Sequence, residues 1–296
     1  MAATTDAAAA LPPLKLLDLT AVLLQSVAET MVARDFAAFA RSCTACHAAA
    51  GDALHAVVPN EVARRLLVVE RIGDATCEKC PSLVVPACIT NVPANAFAGC
   101  ASLASVALPA GITSIGDGAF YNCSSLSSIM LPAGITSIGV SAFCGCTSLT
   151  SIVLPSSCTS IGRAAFHNCQ ALASITLPAC LAELGRGAFN SCESLTAIAI
   201  PDGVVSIKTS TFASCTVLAS VTPPANLMTI GEDAFLNCTA LTSIALPASV
   251  TAIDEYAFFD CPALDAPSRK RIRSICPHCY FEAGGRIGFL PPDPGL

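Results

Sequence analysis

Residues 103–125 read LASVALPAGITSIGDGAFYNCSS, and residues 126–148 read LSSIMLPAGITSIGVSAFCGCTS. The second line answers the first at a step of 23 residues. Leu103, Val106, Leu108, Pro109, Ile112, Ile115, Gly116, Ala119, Phe120 and Cys123 return as Leu126, Ile129, Leu131, Pro132, Ile135, Ile138, Gly139, Ala142, Phe143 and Cys146. Outward from this pair, phenylalanine stands at 97, 120, 143, 166, 189, 212, 235 and 258. Cysteine follows three residues later each time, from Cys100 to Cys261. A fixed period in this range marks a solenoid. A single turn of this length cannot bury its apolar face; stacked turns can, each touching only its neighbours.

The unit LxSIxLPxxxTSIGxxAFxxC resembles the leucine-rich repeats of the BspA-like class, also called the Treponema pallidum-type repeat. The resemblance runs from about Cys80 to Leu264. It implies a leucine-rich-repeat solenoid, right-handed, with short parallel strands along one face. Members of the class include surface proteins thought to mediate adhesion and many intracellular proteins without an assigned role. The expected layout is a flexible N-terminus over 1–13, a helical cap over 14–76, a solenoid of about eight turns over 77–264, and a C-terminal cap and tail over 265–296.

Each turn offers two brief strand segments, near Ser105–Leu108 and Thr113–Ile115, then a helical turn through Ala119-Phe120. Pro109 and its equivalents end the first strand, because proline cannot donate to a ladder. Gly116, Gly139, Gly162, Gly185 and Gly231 recur at one position and imply either a positive φ or a tight backbone approach. Lys208 and Asp254 replace them elsewhere, and Thr211 replaces the usual alanine, so the turn over 192–215 is the expected irregular one. The first repeat reads as short by three residues, with Cys80-x-x-Leu83 running directly to Pro86.

Composition sets limits on function. The chain has 296 residues, 53% hydrophobic and 12% charged, with a formal charge of −6. That balance argues against nucleic acid, which favours a basic partner. Absent tryptophan and scarce tyrosine give no aromatic anchor. Met1 to Ala10 lacks the basic start of a secretory signal, and no later run is long and apolar enough to span a membrane. An intracellular protein, cytoplasmic or nuclear, is therefore the expectation, with the cell surface as the alternative.

The N-terminal stretch has helical periodicity. Leu16, Leu19, Leu23, Leu24, Val27 and Met31 share one side; Phe36, Phe39, Ala40 and Cys43 follow on a second helix, and Asn60 can cap a third. The run Leu23-Leu24 to Asp35-Phe36, with Phe39, Cys43 and Cys46, is weakly similar to an F-box. That similarity implies a Skp1-like adaptor as partner and a substrate-receptor role in a ubiquitin ligase. Its Leu-Pro start is displaced to Leu11-Pro12, and the family's closing tryptophan is missing.

Cysteine invites three readings. Eighteen cysteines would suit a disulfide scaffold in a short secreted chain. Placement at one repeat position instead suggests a ladder of buried thiols packing as small hydrophobes. Off the ladder, Cys158 replaces a core isoleucine, Cys144 is expected on the surface, and Cys88 and Cys180 follow no rule. Cys43/Cys46, Cys77/Cys80 and Cys276/Cys279 have metal-ligand spacing, but zinc needs four ligands at one point. The last pair lies roughly 40 Å of stacked strands from the second. Only Cys43/Cys46 with Cys77/Cys80, and His47 as a spare ligand, can meet; core packing is the simpler account.

No catalytic, cofactor-binding or metal residue is assigned, and no cofactor. His47, His55, His167 and His278 are scattered, with His167 on an exposed rim. The basic run Arg269-Lys270-Arg271-x-Arg273 is a solvated cap rim or an acidic-partner patch, with Ile272, Ile275, Tyr280 and Phe281 covering the last turn. The outward rows, Ser105/Ala107 through Ser243/Ala245, are flat and nearly uncharged. The functional expectation is a non-enzymatic protein-protein interaction scaffold with an unidentified protein partner; the alternatives are an F-box-like ubiquitin-ligase subunit and a cell-surface adhesion protein.

Overall fold

The computed structural model describes residues 82–85 and 90–282. It shows a leucine-rich-repeat solenoid of parallel strands. The first strand of successive turns is β1 (Ser82–Val84), β2 (Ser105–Ala107), β4 (Ser128–Met130), β6 (Ser151–Val153) and β8 (Ser174–Thr176). The row continues as β10 (Ala197–Ala199), β12 (Ser220–Thr222) and β14 (Ser243–Ile244). The second strands are β3 (Ser114–Ile115), β5 (Ser137–Ile138), β7 (Ser160–Ile161), β9 (Glu183–Leu184), β11 (Ser206–Ile207), β13 (Thr229–Ile230) and β15 (Ala252–Ile253). Every pairing is parallel and in 23-residue register, as in Val106↔Ile129 and Ile115↔Ile138. Alternation explains the three-residue strands: the middle residue is buried and its neighbours are exposed.

The register removes one expectation. Ser82 pairs with Ser105, Leu83 with Val106 and Val84 with Ala107, all at the full period. The first repeat is therefore not short. Counting back 23 from Cys100 gives Cys77, and Cys80 falls at the Leu103 position.

A spine of phenylalanine fills the interior. Phe97, Phe120, Phe143, Phe166, Phe189, Phe212, Phe235 and Phe258 are all 0% exposed. Their rings stack in sequence with centroids 5.1–5.7 Å apart, inside the range of offset aromatic pairs. Beside them runs the thiol ladder. Cys146 Sγ donates to the Phe120 carbonyl at 3.2 Å, Cys169 to Phe143 at 3.2 Å and Cys215 to Phe189 at 3.1 Å. Cys123, Cys192, Cys238 and Cys261 repeat the contact one turn apart. These rungs are free thiols.

The segment around each phenylalanine forms hydrogen-bonded turns rather than α-helix. Phe120 N–H donates to the Ala142 carbonyl of the next turn at 2.7 Å, and Asn122 N–H to Cys144 at 2.7 Å. Residues two before and two after phenylalanine take positive φ, as in Gly118 and Asn122, Ala164 and Asn168, Asp233 and Asn237, except at Phe258, where Asp260 does and Tyr256 does not. The repeated glycines at 116, 139, 162, 185 and 231 do not. A Cβ on Gly139 or Gly162 would stand 2.6 Å from backbone of the preceding turn, so close approach is what requires glycine there.

Both sheets break at one level. The first row divides into β1-β2-β4-β6-β8 and β10-β12-β14, the second into β3-β5-β7-β9 and β11-β13-β15. The break leads into the turn with Lys208 at the glycine position and buried Thr211 for alanine. Phe189 and Phe212, the rings across it, have the widest spacing at 5.7 Å. The opposite side stays bonded, Phe189 N–H to the Thr211 carbonyl at 2.9 Å, so the stack continues. Asp254 also carries a Cβ at this position, yet β13 and β15 still pair, so a side chain there is not sufficient for a break.

At the C-terminal end, α1 (Ala266–Arg273) begins at Asp265, whose side chain accepts from Ser268 N–H at 2.9 Å. Proline in its first turn and basic residues in its last suit helix termini. Ile272 and Phe281 are buried, Ile275 packs against the core, and Tyr280 stacks on Tyr256. Cys261 N–H donates to the Phe281 carbonyl at 2.9 Å, which gives the last rung a backbone partner.

Candidate functional site

The residue after each repeated glycine projects outward from the turn. Read along the stack this column is Asp117, Val140, Arg163, Arg186, Thr209, Glu232 and Glu255. Residues 90–264 contain three Lys or Arg in all, namely Arg163, Arg186 and Lys208. All three line one open groove of about 720 Å³, floored by Gly139, Gly162 and Gly185. The glycines make the groove, because a strip without side chains lies between outward rows.

The backbone fixes the cations one turn apart. The Arg163 carbonyl accepts from Ser141 N–H at 2.7 Å, and the Arg186 carbonyl from Ala164 N–H at 2.8 Å. Lys208 Nζ reaches back to Glu183 Oε1 at 3.1 Å, which balances its charge. Arg163 and Arg186 are exposed, and neither guanidinium has a side-chain partner among the described residues. Asp117 Oδ1 accepts from Val140 N–H at 2.7 Å at one end of the groove. Sequence reading passed over these residues. The signal was available: the three Lys and Arg residues of 90–264 fall on consecutive turns.

A second exposed feature is apolar. Met130 and Val153, ladder partners on β4 and β6, are 86% and 75% exposed. They interrupt the otherwise small outward row.

The sequence candidates are dispersed. Cys276 is half-buried and Cys279 buried. Burial pushes the Cys279 thiol up to about 12. No group of three His, Cys, Asp or Glu among the described residues could hold a metal. Cys43, Cys46, Cys77, Cys80, Cys88, His47 and His55 lie outside the described residues. His167 is half-buried rather than on an open rim, with Nδ1 3.2 Å from the Asn190 carbonyl. Cys144 is buried at 8% exposure, against the expectation of a surface thiol; Cys158 is buried and Cys180 exposed.

The basic run on α1 is tied into the end of the stack. Arg269 donates to the Leu264 and Pro262 carbonyls at 2.9 and 2.7 Å, and Arg271 to Pro247 at 3.1 Å. Arg269 and Arg273 lie over the Phe281 ring, each 5.2 Å from its centroid.

Parallel strands in one register, a stacked aromatic spine and a cysteine rung per turn define a leucine-rich-repeat solenoid. A model of the BspA type leucine rich repeat region matches residues 70–162 and 136–265 with six copies, and the chain belongs to that family. The T. pallidum leucine rich repeat protein is 30% identical, with 66% of this chain and 83% of that one covered, and a TM-score of 0.53. A leucine rich cell surface protein from Faecalibacterium prausnitzii is also 30% identical, covering 67% of this chain and 63% of its own, with a TM-score of 0.47. A leucine-rich repeat protein from Eubacterium ventriosum is 28% identical over 63% of this chain and 43% of its own, with a TM-score of 0.40. No curated protein matches.

The expected placement is not borne out. An intracellular, cytoplasmic or nuclear protein was expected, whereas the F. prausnitzii relative is a cell surface protein. Each rung of the thiol ladder is held on a phenylalanine carbonyl of the preceding turn, which accounts for cysteine at this position by packing. Among the described residues no helix is long and apolar enough to cross a membrane.

Proposed function

We propose that this chain is a non-enzymatic, protein-binding scaffold displayed at a cell surface, where it serves adhesion. The observation that carries the proposal is membership in the BspA-type repeat family, with a stack that presents one outward row per turn. The F. prausnitzii relative, a leucine rich cell surface protein, supports the location. The finer architecture we propose is eight right-handed turns over 77–264, after a segment over 1–13 and a helical cap over 14–76, with 265–296 as C-terminal cap and tail. The F-box-like reading of 14–76 and its Skp1-like adaptor fall outside the described residues. Surface display leaves that reading no role.

The test is labelling of intact cells with a membrane-impermeant amine reagent, followed by capture of the chain. Labelling in intact cells is expected. Labelling only after lysis, with a Skp1-like adaptor recovered from the native chain, would overturn the surface proposal in favour of the ubiquitin-ligase alternative.

A further inference from the structure

We infer that the groove across Arg163, Arg186 and Lys208 takes a short acidic peptide segment of the partner, presenting two carboxylates on one side of an extended chain. This deepens the scaffold proposal and rests on it. The chain is acidic overall at −6, yet the described turns gather their three cations in one place. Lys208 is already balanced by Glu183, which leaves two uncompensated guanidinium groups on adjacent turns. Each can hold a carboxylate through two parallel N–H donors, the geometry that favours arginine over lysine for such partners. Alternate residues of an extended peptide lie roughly 7 Å apart on one side. Adjacent turns lie roughly 5 Å apart, and the long arginine stems take up the difference.

The ends of the column decide against a long polyanion. Asp117 stands two turns before Arg163, and Glu232 two turns after Arg186, followed by Glu255. Two turns are roughly 10 Å at the strand spacing, comparable to the screening length of about 8–10 Å at physiological salt. An anionic glycan or nucleic acid running along the groove meets repulsion at both ends. A diacid segment ends before it. The lining has no aromatic ring on which a sugar could stack.

The test is fluorescence anisotropy at low ionic strength on the full chain, with a labelled Ala-Glu-Ala-Glu-Ala peptide and its Ala-Gln-Ala-Gln-Ala counterpart. The glutamate peptide should bind at least about tenfold more tightly and weaken as salt rises. The double variant Arg163→Ala, Arg186→Ala should lose about tenfold or more, and Lys270→Ala on α1 should change nothing. The double variant Arg163→Lys, Arg186→Lys, which keeps the charge and removes the fork, should fall between. An unchanged thermal melt for either variant ties the loss to the groove. Equal binding of the two peptides, or full binding by both double variants, overturns the inference. So does heparin binding more tightly than the glutamate peptide with the same arginine dependence, which makes the groove a polyanion site. The cell-surface labelling does not involve the groove, so either proposal can fail alone.

Discussion

At the scale of single residues, the thiols explain why cysteine recurs beside the phenylalanine spine. The position is fully buried and faces a backbone carbonyl of the preceding turn. Alanine would fill part of the space and offer no donor, whereas serine would donate but carry a more polar group into the core. Burial raises the thiol pKa, to about 12 for Cys215 and Cys261 and upward for Cys146, Cys169, Cys192 and Cys238. In an unfolded chain a thiol titrates near about 8.5. A raised folded pKa contributes stability that is complete below that value. It is lost as pH climbs toward the folded value, because the unfolded state alone releases the proton. Stability should fall above about pH 8.5 by about 1.4 kcal/mol per pH unit for each such thiol. Denaturant midpoints measured in reductant at neutral and alkaline pH check this, with a steep alkaline decline expected. Thiol labelling without reductant gives the companion result: Cys169 and Cys192 react only after unfolding, while exposed Cys180 reacts in the folded protein. Ladder thiols that stay hidden after denaturation until reductant is added would point to disulfides.

At the scale of the turn, the sequence identified the irregular repeat and left two causes open for its glycine position, of which close backbone approach is the one found. Lys208 and Thr211 marked the turn over 192–215, and both sheets do divide on entering it. The glycine position it occupies is not left-handed; it is crowded by the backbone of the turn before. Positive φ belongs to Asn122, Asn168, Asn237 and their equivalents, which a count of Asn, Gly, Ser and Asp on either side of phenylalanine would have found. Period alone cannot separate the two causes, since both favour glycine. Gly185→Ala would set a Cβ against Arg163 and Gly162 backbone and should cost about 1–3 kcal/mol, the usual range for overpacking. Gly231→Ala should cost less, because its Cβ would stand 3.0 Å from the nearest atom. Lys208→Gly should leave stability equal or higher, since the exposed Glu183 pair it removes contributes about 0–1 kcal/mol. Chemical denaturation of the three variants ranks them, and equal losses for Gly185→Ala and Gly231→Ala would contradict the crowding account.

At the scale of the whole molecule, what was legible followed from what repeats. The 23-residue step located the strands, the phenylalanine spine and the thiol ladder because each recurs at one register. The groove was not legible in the same way, because its residues depart from the repeat. Arg163, Arg186 and Lys208 look like scattered substitutions until the stack sets them on successive turns. The basic run on α1 stood out in the sequence as a cluster, yet Arg269 and Arg271 bind carbonyls at the end of the stack. The central claim is a continuous stack around one aromatic spine. The most direct measurement compares urea denaturation of Phe166→Ala with Phe97→Ala and Phe258→Ala. Phe166 stacks on Phe143 and Phe189, whereas Phe258 stacks on Phe235 alone within the spine. Phe166→Ala should cost about 3–5 kcal/mol, and the two outer changes less. Equal, small losses at all three positions would contradict the stacked spine.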